Sequence, residues 1–205
     1  IMSQERIETN KAPLIQVETC HGDLVIRSWS ETAVSIQSHQ YKAKETEAGL
    51  TLTSYGTLNL IVPENASLSL GNVRGNLIVN QVNGDLSLQT ADGNVTLVGP
   101  NQVKINTVNG NLSAKQLGGD FSVETVNGNA TWHQVQGVNT GTINGNSHIH
   151  FAQGAVNLQK INGNVSLRSI SGAVHITQKV NGNLNASQID SILNLNLVNG
   201  NIRLD

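Results

Sequence analysis

The 205-residue sequence predicts an all-β protein, a single-stranded parallel β-helix or β-solenoid with about 18 residues per coil and an irregular amino-terminal β cap. Three observations lead there. Glycine returns in NGN or DGN turns at Gly93, Gly110, Gly128, Gly145, Gly163, Gly182 and Gly200. A second kind of turn, GGD, QGV, QGA and SGA, interleaves at Gly119, Gly137, Gly154 and Gly172, so matching turns lie two steps apart. Apolar residues then fall two, four and seven positions after each glycine, as in Val165, Leu167 and Ile170 or Leu184, Ala186 and Ile189. Alternation of that kind is a strand signal, and no segment shows helical spacing. An antiparallel meander would leave the alternation of turn types unexplained, whereas in a coil equal corners stack above one another.

Taken in order, residues 1–13 read as a flexible tail. Residues 14–66 read as a β cap or irregular first coils. LIQVETCHGDLVIRSWSETAVSIQSH gives strands around turns at His21-Gly22-Asp23 and Ser30-Glu31-Thr32, followed by the polar YKAKETEAG and the strand pair LTLTSYGTLNLIV. Residues 67–205 are the regular repeats, continuous with the cap in one domain. The carboxyl-terminal NGNIRLD stops within a half-coil, which predicts an edge open to pairing with a second copy.

The corners have a physical reading. Glycine takes positive φ without steric penalty and asparagine tolerates that region, so Asn-Gly turns the chain tightly. The glycines Gly110, Gly128, Gly145, Gly163, Gly182 and Gly200 then form one column. The preceding Asn109, Asn127, Asn144, Asn162, Asn181 and Asn199 form a second, in which amides stacked at about 4.8 Å can hydrogen-bond. The following Asn111, Asn129, Asn146, Asn164, Asn183 and Asn201 form a third.

The succession LIQVETCHGDLVIRSWSETAVSI, LNLIVPENASLSL and tandem NGNL and NGNV half-coils resembles the bacterial putative-adhesin family of β-solenoid domains of unknown function, over roughly residues 14–205. The resemblance implies a right-handed β-helix, attached in other members to a membrane segment or a small regulatory domain. It carries no catalytic signature.

Composition narrows the function. A net charge of -2 and a pI near 6.3 exclude the basic footprint of a nucleic-acid binder. The single Cys20 excludes a disulfide framework or a multi-cysteine metal site. No apolar run reaches the ~18 residues of a membrane span. The expected compartment is the cell envelope where a leader or anchor has been removed, and the cytoplasm otherwise. Carboxylates are scattered, with Asp85, Asp92 and Asp120 at turns and Glu124 alone on a strand, so no pair is spaced for acid–base catalysis. The turns carry neutral Asn where calcium repeats need Asp. No catalytic residue, cofactor or metal is therefore expected, and a clip of His148 and His150 lacks a third ligand unless His133 supplies one.

What remains is an outward pattern. Five residues after the glycines stand Lys115, His133, His150 and Arg168, and three residues after them stand His148 and Arg203. Stacked coils would align these as a basic ladder. The expected function is a non-catalytic, adhesin-like interaction module whose partner is a protein or a cell-envelope polymer. The ladder would serve an anionic glycan, and self-association would use the carboxyl edge.

Overall fold

The computed structural model describes residues 3–205. Its strands are β1 (Ser3–Glu8), β2 (Leu14–Cys20), β3 (Leu24–Trp29), β4 (Ala33–Ser38), β5 (Tyr41–Thr46), β6 (Gly49–Ser54) and β7 (Leu58–Pro63). Eight strand pairs then repeat the same coil: β8 (Ser67–Val73) with β9 (Leu77–Asn80), β10 (Leu86–Ala91) with β11 (Val95–Val98), β12 (Val103–Val108) with β13 (Leu112–Lys115), and β14 (Phe121–Val126) with β15 (Ala130–Val135). The last four are β16 (Val138–Ile143) with β17 (Ser147–Ala152), β18 (Val156–Ile161) with β19 (Val165–Ile170), β20 (Val174–Val180) with β21 (Leu184–Ile189), and β22 (Leu193–Leu195) with β23 (Ile202–Leu204). From β8 onward, odd-numbered strands lie in a 12-stranded sheet and even-numbered ones in an 11-stranded sheet, each paired in parallel with its neighbours one coil away. The fold is thus the stacked parallel β-solenoid that the 18-residue period predicts. Equivalent residues are 17 to 19 apart. The longest step contains β20, where the pairing with β18 slips by one residue at a bulge.

The first coils are not stacked in sequence order. Strand β3 lies between β7 and β9, and β2 between β6 and β8, so the later β6–β7 coil packs beneath the earlier β2–β3 coil. Beyond it the chain direction reverses, with β5 antiparallel to β6, β4 antiparallel to β7, and β1 antiparallel to β4. Part of the expected tail is therefore a strand. Residues 3–8 are held by an Arg6 ion pair with Glu31 and by the Arg6 guanidinium lying 5.4 Å over the Trp29 ring, while residues 1–2 lie outside the described residues. Both outer strands bear charges, Glu5, Arg6 and Glu8 on one and Lys42, Lys44 and Glu45 on the other, which discourages further strand addition. At the other end Ile192, Ile202 and Leu204 are exposed.

Side chains from the two sheets meet in one continuous core of Leu, Val, Ile and Ala. Trp132 is its largest member, fully buried and edge-on to Phe121 at 5.6 Å between ring centroids. Of the two residues paired with it directly, Ile149 is large and Ala114 small, and Ala130 pairs with Ser147 beside it. One bulky ring is thus accommodated by reduced volume around it, as close packing requires.

The corner glycines depart from expectation. Positive φ among glycines occurs at Gly49 and Gly99, not in the NGN column. Those glycines are required by proximity: Gly145 N–H donates to Gly128 O at 3.0 Å, and a Cβ on Gly145 would stand 2.5 Å from Asn129 Oδ1 and 2.6 Å from Gly128 O. Corners hydrogen-bonded one above another leave no room for a side chain.

Gly145→Ala should therefore destabilise the protein by about 1–3 kcal/mol in urea unfolding, the range for overpacking a site that cannot relax. Gly56→Ala, where the added Cβ meets nothing within 4 Å, should move the midpoint little by comparison. A second expectation concerns the core. Thr140 Oγ1 is buried with no hydrogen-bond partner among the described residues, and its sheet neighbours in adjacent coils are Val123 and Leu158. Thr140→Val should raise stability by about 1 kcal/mol in the same assay, since it removes a desolvated hydroxyl at nearly constant shape.

Candidate functional site

Each coil turns twice, and the two corners are built differently. At the first, side-chain amides form a chain of hydrogen bonds: Asn127 Nδ2 donates to Asn109 Oδ1 at 2.8 Å, Asn144 to Asn127 at 2.7 Å, Asn162 to Asn144 at 2.6 Å, Asn181 to Asn162 at 2.8 Å and Asn199 to Asn181 at 2.8 Å. The second Asn of each motif acts otherwise. Its Oδ1 accepts the backbone N–H of its counterpart one coil on, as in Asn146 N to Asn129 Oδ1 and Asn164 N to Asn146 Oδ1, both 2.8 Å.

Aspartates begin both rows, Asp92 the first and Asp23 the second, and two more, Asp85 and Asp120, accept at the other corner. Asn109 Nδ2 donates to Asp92 at 3.0 Å, Asn76 N to Asp23 at 2.7 Å, Asn101 Nδ2 to Asp85 at 2.8 Å, and Gly137 N to Asp120 at 2.9 Å. A first member has no lower neighbour to donate to, so an acceptor-only carboxylate suits the position. These four carboxylates are occupied in holding turns.

The opposite corner was not foreseen. Gln81, Gln116, Gln134, Phe151, Ser169 and Gln188 all have φ between 53° and 61°, with Gly99 continuing the column at 104°. Each lies six positions after a corner glycine. The left-handed residue is the extra outward one between apolar positions four and seven, but that spacing recurs in the other half of the coil, after Gly119 and Gly154, where φ stays negative. Gln and Ser are not residues whose identity announces that conformation, and Asn-Gly drew the expectation to the wrong corner.

Between the corners, the outward face of the 12-stranded sheet carries the candidate ladder. Lys115 pairs with His133, His133 with His150, and His150 with Arg168, each on the adjacent strand, so four consecutive coils present a basic or titratable group in one row. At the ~4.8 Å strand spacing the row is roughly 14 Å long. His133 and His150 are in contact, with centroids 5.1 Å apart. His148, two residues from His150, heads a neighbouring row through Ser166 and Asn185 to Arg203. Arg203 is three coils from His148 and is paired with Asp205 at 2.9 Å, so it does not join the group.

Desolvation pushes the His150 imidazole below its ordinary pKa of 6.5, and the charges of His133 and Arg168 act in the same direction. Phe151 is stacked on His150 at 4.0 Å and 19° and lies 5.5 Å from His133. Among the described residues no three His, Cys, Asp or Glu are grouped to hold a metal ion. Cys20 is buried, and burial pushes its thiol pKa up. Among the described residues no helix is long and apolar enough to cross a membrane.

A parallel β-solenoid with two unlike corners and one basic outward row defines the class of this protein. No protein-family model matches the chain, and no curated protein matches it. Among solved structures it is similar to a putative adhesin from Bacteroides fragilis, at a TM-score of 0.50 and 14% identity, covering 100% of this chain and 97% of that one. A putative adhesin from Parabacteroides distasonis aligns over 100% of this chain and 97% of its own, with a TM-score of 0.39 and 13% identity. At 14% identity the first likeness is one of fold.

Because the His150 pKa is lowered in the folded chain, the unfolded chain takes up a proton first as pH falls. Stability contributed by neutral His150 is therefore complete above about pH 6.5 and declines as pH drops through the depressed folded value. NMR titration should give a His150 midpoint below 6.5, moving upward in His133→Ala and in Arg168→Ala. An unchanged midpoint in both variants would remove the two neighbouring charges as causes.

Proposed function

We propose that the protein is a non-catalytic, adhesin-like interaction module that binds an extended anionic polymer, of the kind found in acidic cell-envelope glycans, along the outward face of the 12-stranded sheet. The observation that carries this reading is the register of Lys115, His133, His150 and Arg168 on four adjacent parallel strands. A row of cations at one spacing favours a ligand whose charges also repeat along a line, and each contact need only be weak. The name adhesin, borne by solved proteins of similar fold, agrees with an interaction role.

Lys115 and Arg168 stand at the two ends of the row, and His150 between them adds charge as the pH falls. Burial and neighbouring cations hold His150 neutral near pH 7, so the full row forms only in acid. A bound polyanion would offset those cations and raise the His150 pKa, which by linkage makes binding stronger at lower pH.

The experiment is retention on immobilised polygalacturonate at several salt concentrations. The wild-type chain should be retained more strongly at pH 5.5 than at pH 7.5, and elute progressively earlier as salt rises and the screening length shortens, to about 10 Å at 0.1 M. Lys115→Ala/Arg168→Ala should lose most of that retention. If the double variant elutes with wild type, the row is a solvated strand face and the proposal fails.

A further inference from the structure

We infer that the left-handed corner beside β15, β17, β19 and β21 is a binding groove for a neutral carbohydrate, separate from the basic row. The corner residues Gln134, Phe151, Ser169 and Gln188 line a groove of about 670 Å³ together with Gln153 and Asp190. That volume lies within the range of small-ligand sites.

Phe151 is the anomaly that points to a ligand. The corner column otherwise holds Gln, Ser or Gly, whereas here a bulky aromatic takes φ 61° and remains 45% exposed. A non-glycine residue in that region is strained, and an aromatic ring left in water forgoes the stabilisation of burial. Only six of the 205 residues are Phe, Trp or Tyr, so the placement stands out from the composition. Stacking against His150 at 4.0 Å and edge contact with His133 at 5.5 Å fix the ring's orientation. A rigid, half-exposed ring is suited to receive the apolar C–H face of a pyranose at small entropic cost.

The polar groups around it fit hydroxyls. Side-chain amides donate and accept at once, as vicinal hydroxyl pairs require. Gln153 Oε1 accepts from Gln136 at 3.3 Å and Gln188 Oε1 accepts from Ser169 at 2.6 Å, which orients both amides and leaves their Nε2 groups as donors. Asp190 is the one charged group in the lining, an acceptor for hydroxyl hydrogens that repels anions. The groove therefore selects against the polyanion proposed for the neighbouring row.

A peptide added as a strand is disfavoured by the backbone. Along this corner Leu117 N bonds Gln134 O at 3.1 Å, Gln153 N bonds Val135 O at 3.1 Å, Ser171 N bonds Ala152 O at 2.9 Å and Asp190 N bonds Ile170 O at 2.9 Å. Those main-chain groups serve the stack, so recognition falls to side chains.

Affinity electrophoresis in gels containing hydroxyethylcellulose, galactomannan or laminarin, with polygalacturonate as the anionic comparison, tests this. The wild-type chain should be retarded in at least one neutral gel. Phe151→Gln, which installs the residue found elsewhere in the column, should weaken that retardation at least tenfold while melting no lower than wild type. Gln188→Ala should weaken it independently. Lys115→Ala/Arg168→Ala should be retarded like wild type in the neutral gel, which separates the two sites. Migration unaffected by all three neutral polymers, or equal retardation of wild type, Phe151→Gln and Gln188→Ala, would overturn the inference.

Discussion

Contact between successive glycine corners is the constraint on which the rest of the molecule depends. Gly93, Gly110, Gly128, Gly145, Gly163 and Gly182 each donate N–H to the corner glycine one coil earlier at 3.0–3.1 Å. That bond fixes the rise of a coil to the spacing of paired strands, about 4.8 Å. Because the corner cannot slip, every residue counted from it falls at the same height and on the same face in the next coil. Core layers, amide rows and the basic row all follow from that registration. A coil may gain a residue, as at the β20 bulge, provided the next corner still seats on the last.

This explains how much could be read in advance. The period, the inward residues and the alignment of Lys115 with Arg168 depend on counting from the corners, which a sequence permits. The stacking order of the first coils does not. Whether β6–β7 lies beneath or above β2–β3 is decided by pairing between segments 35 residues apart, such as Gln16 with Thr51, and both placements satisfy the same alternation. The left-handed corner was hidden for another reason. Its residues are mostly Gln, and the requirement is imposed by the stack rather than by local propensity, so the spacing that accompanies it is shared by the half-coil that lacks it.

Proximity and backbone freedom are distinct uses of glycine, and the two corners separate them. At the NGN corner the chain keeps ordinary φ and glycine is needed because Asn129 Oδ1 and Gly128 O occupy the space a Cβ would take. At the other corner the chain takes positive φ, yet side chains are retained there because they project away from the stack. Variation in side-chain chemistry is thus barred from the first corner and open at the second. That is why Phe151 could appear in a column of Gln without disturbing the coil.

The same reasoning accounts for where charge is found. Asp23 and Asp92 are absorbed as acceptors at the starts of amide rows, Asp85 and Asp120 accept at the other corner, and the charges of β1 and β5 guard an edge. The row that starts at Asp92 has a direction: each side-chain amide donates toward the earlier coil and accepts from the later one, so an acceptor-only carboxylate suits its beginning. An ammonium or guanidinium can only donate, so a cation cannot continue such an amide row. Lys115 and Arg168 fall on strand faces, where nothing in the stack consumes their charge. With four aspartates occupied at the corners and Lys115 and Arg168 on a strand face, a chain of net charge -2 still presents a positive row.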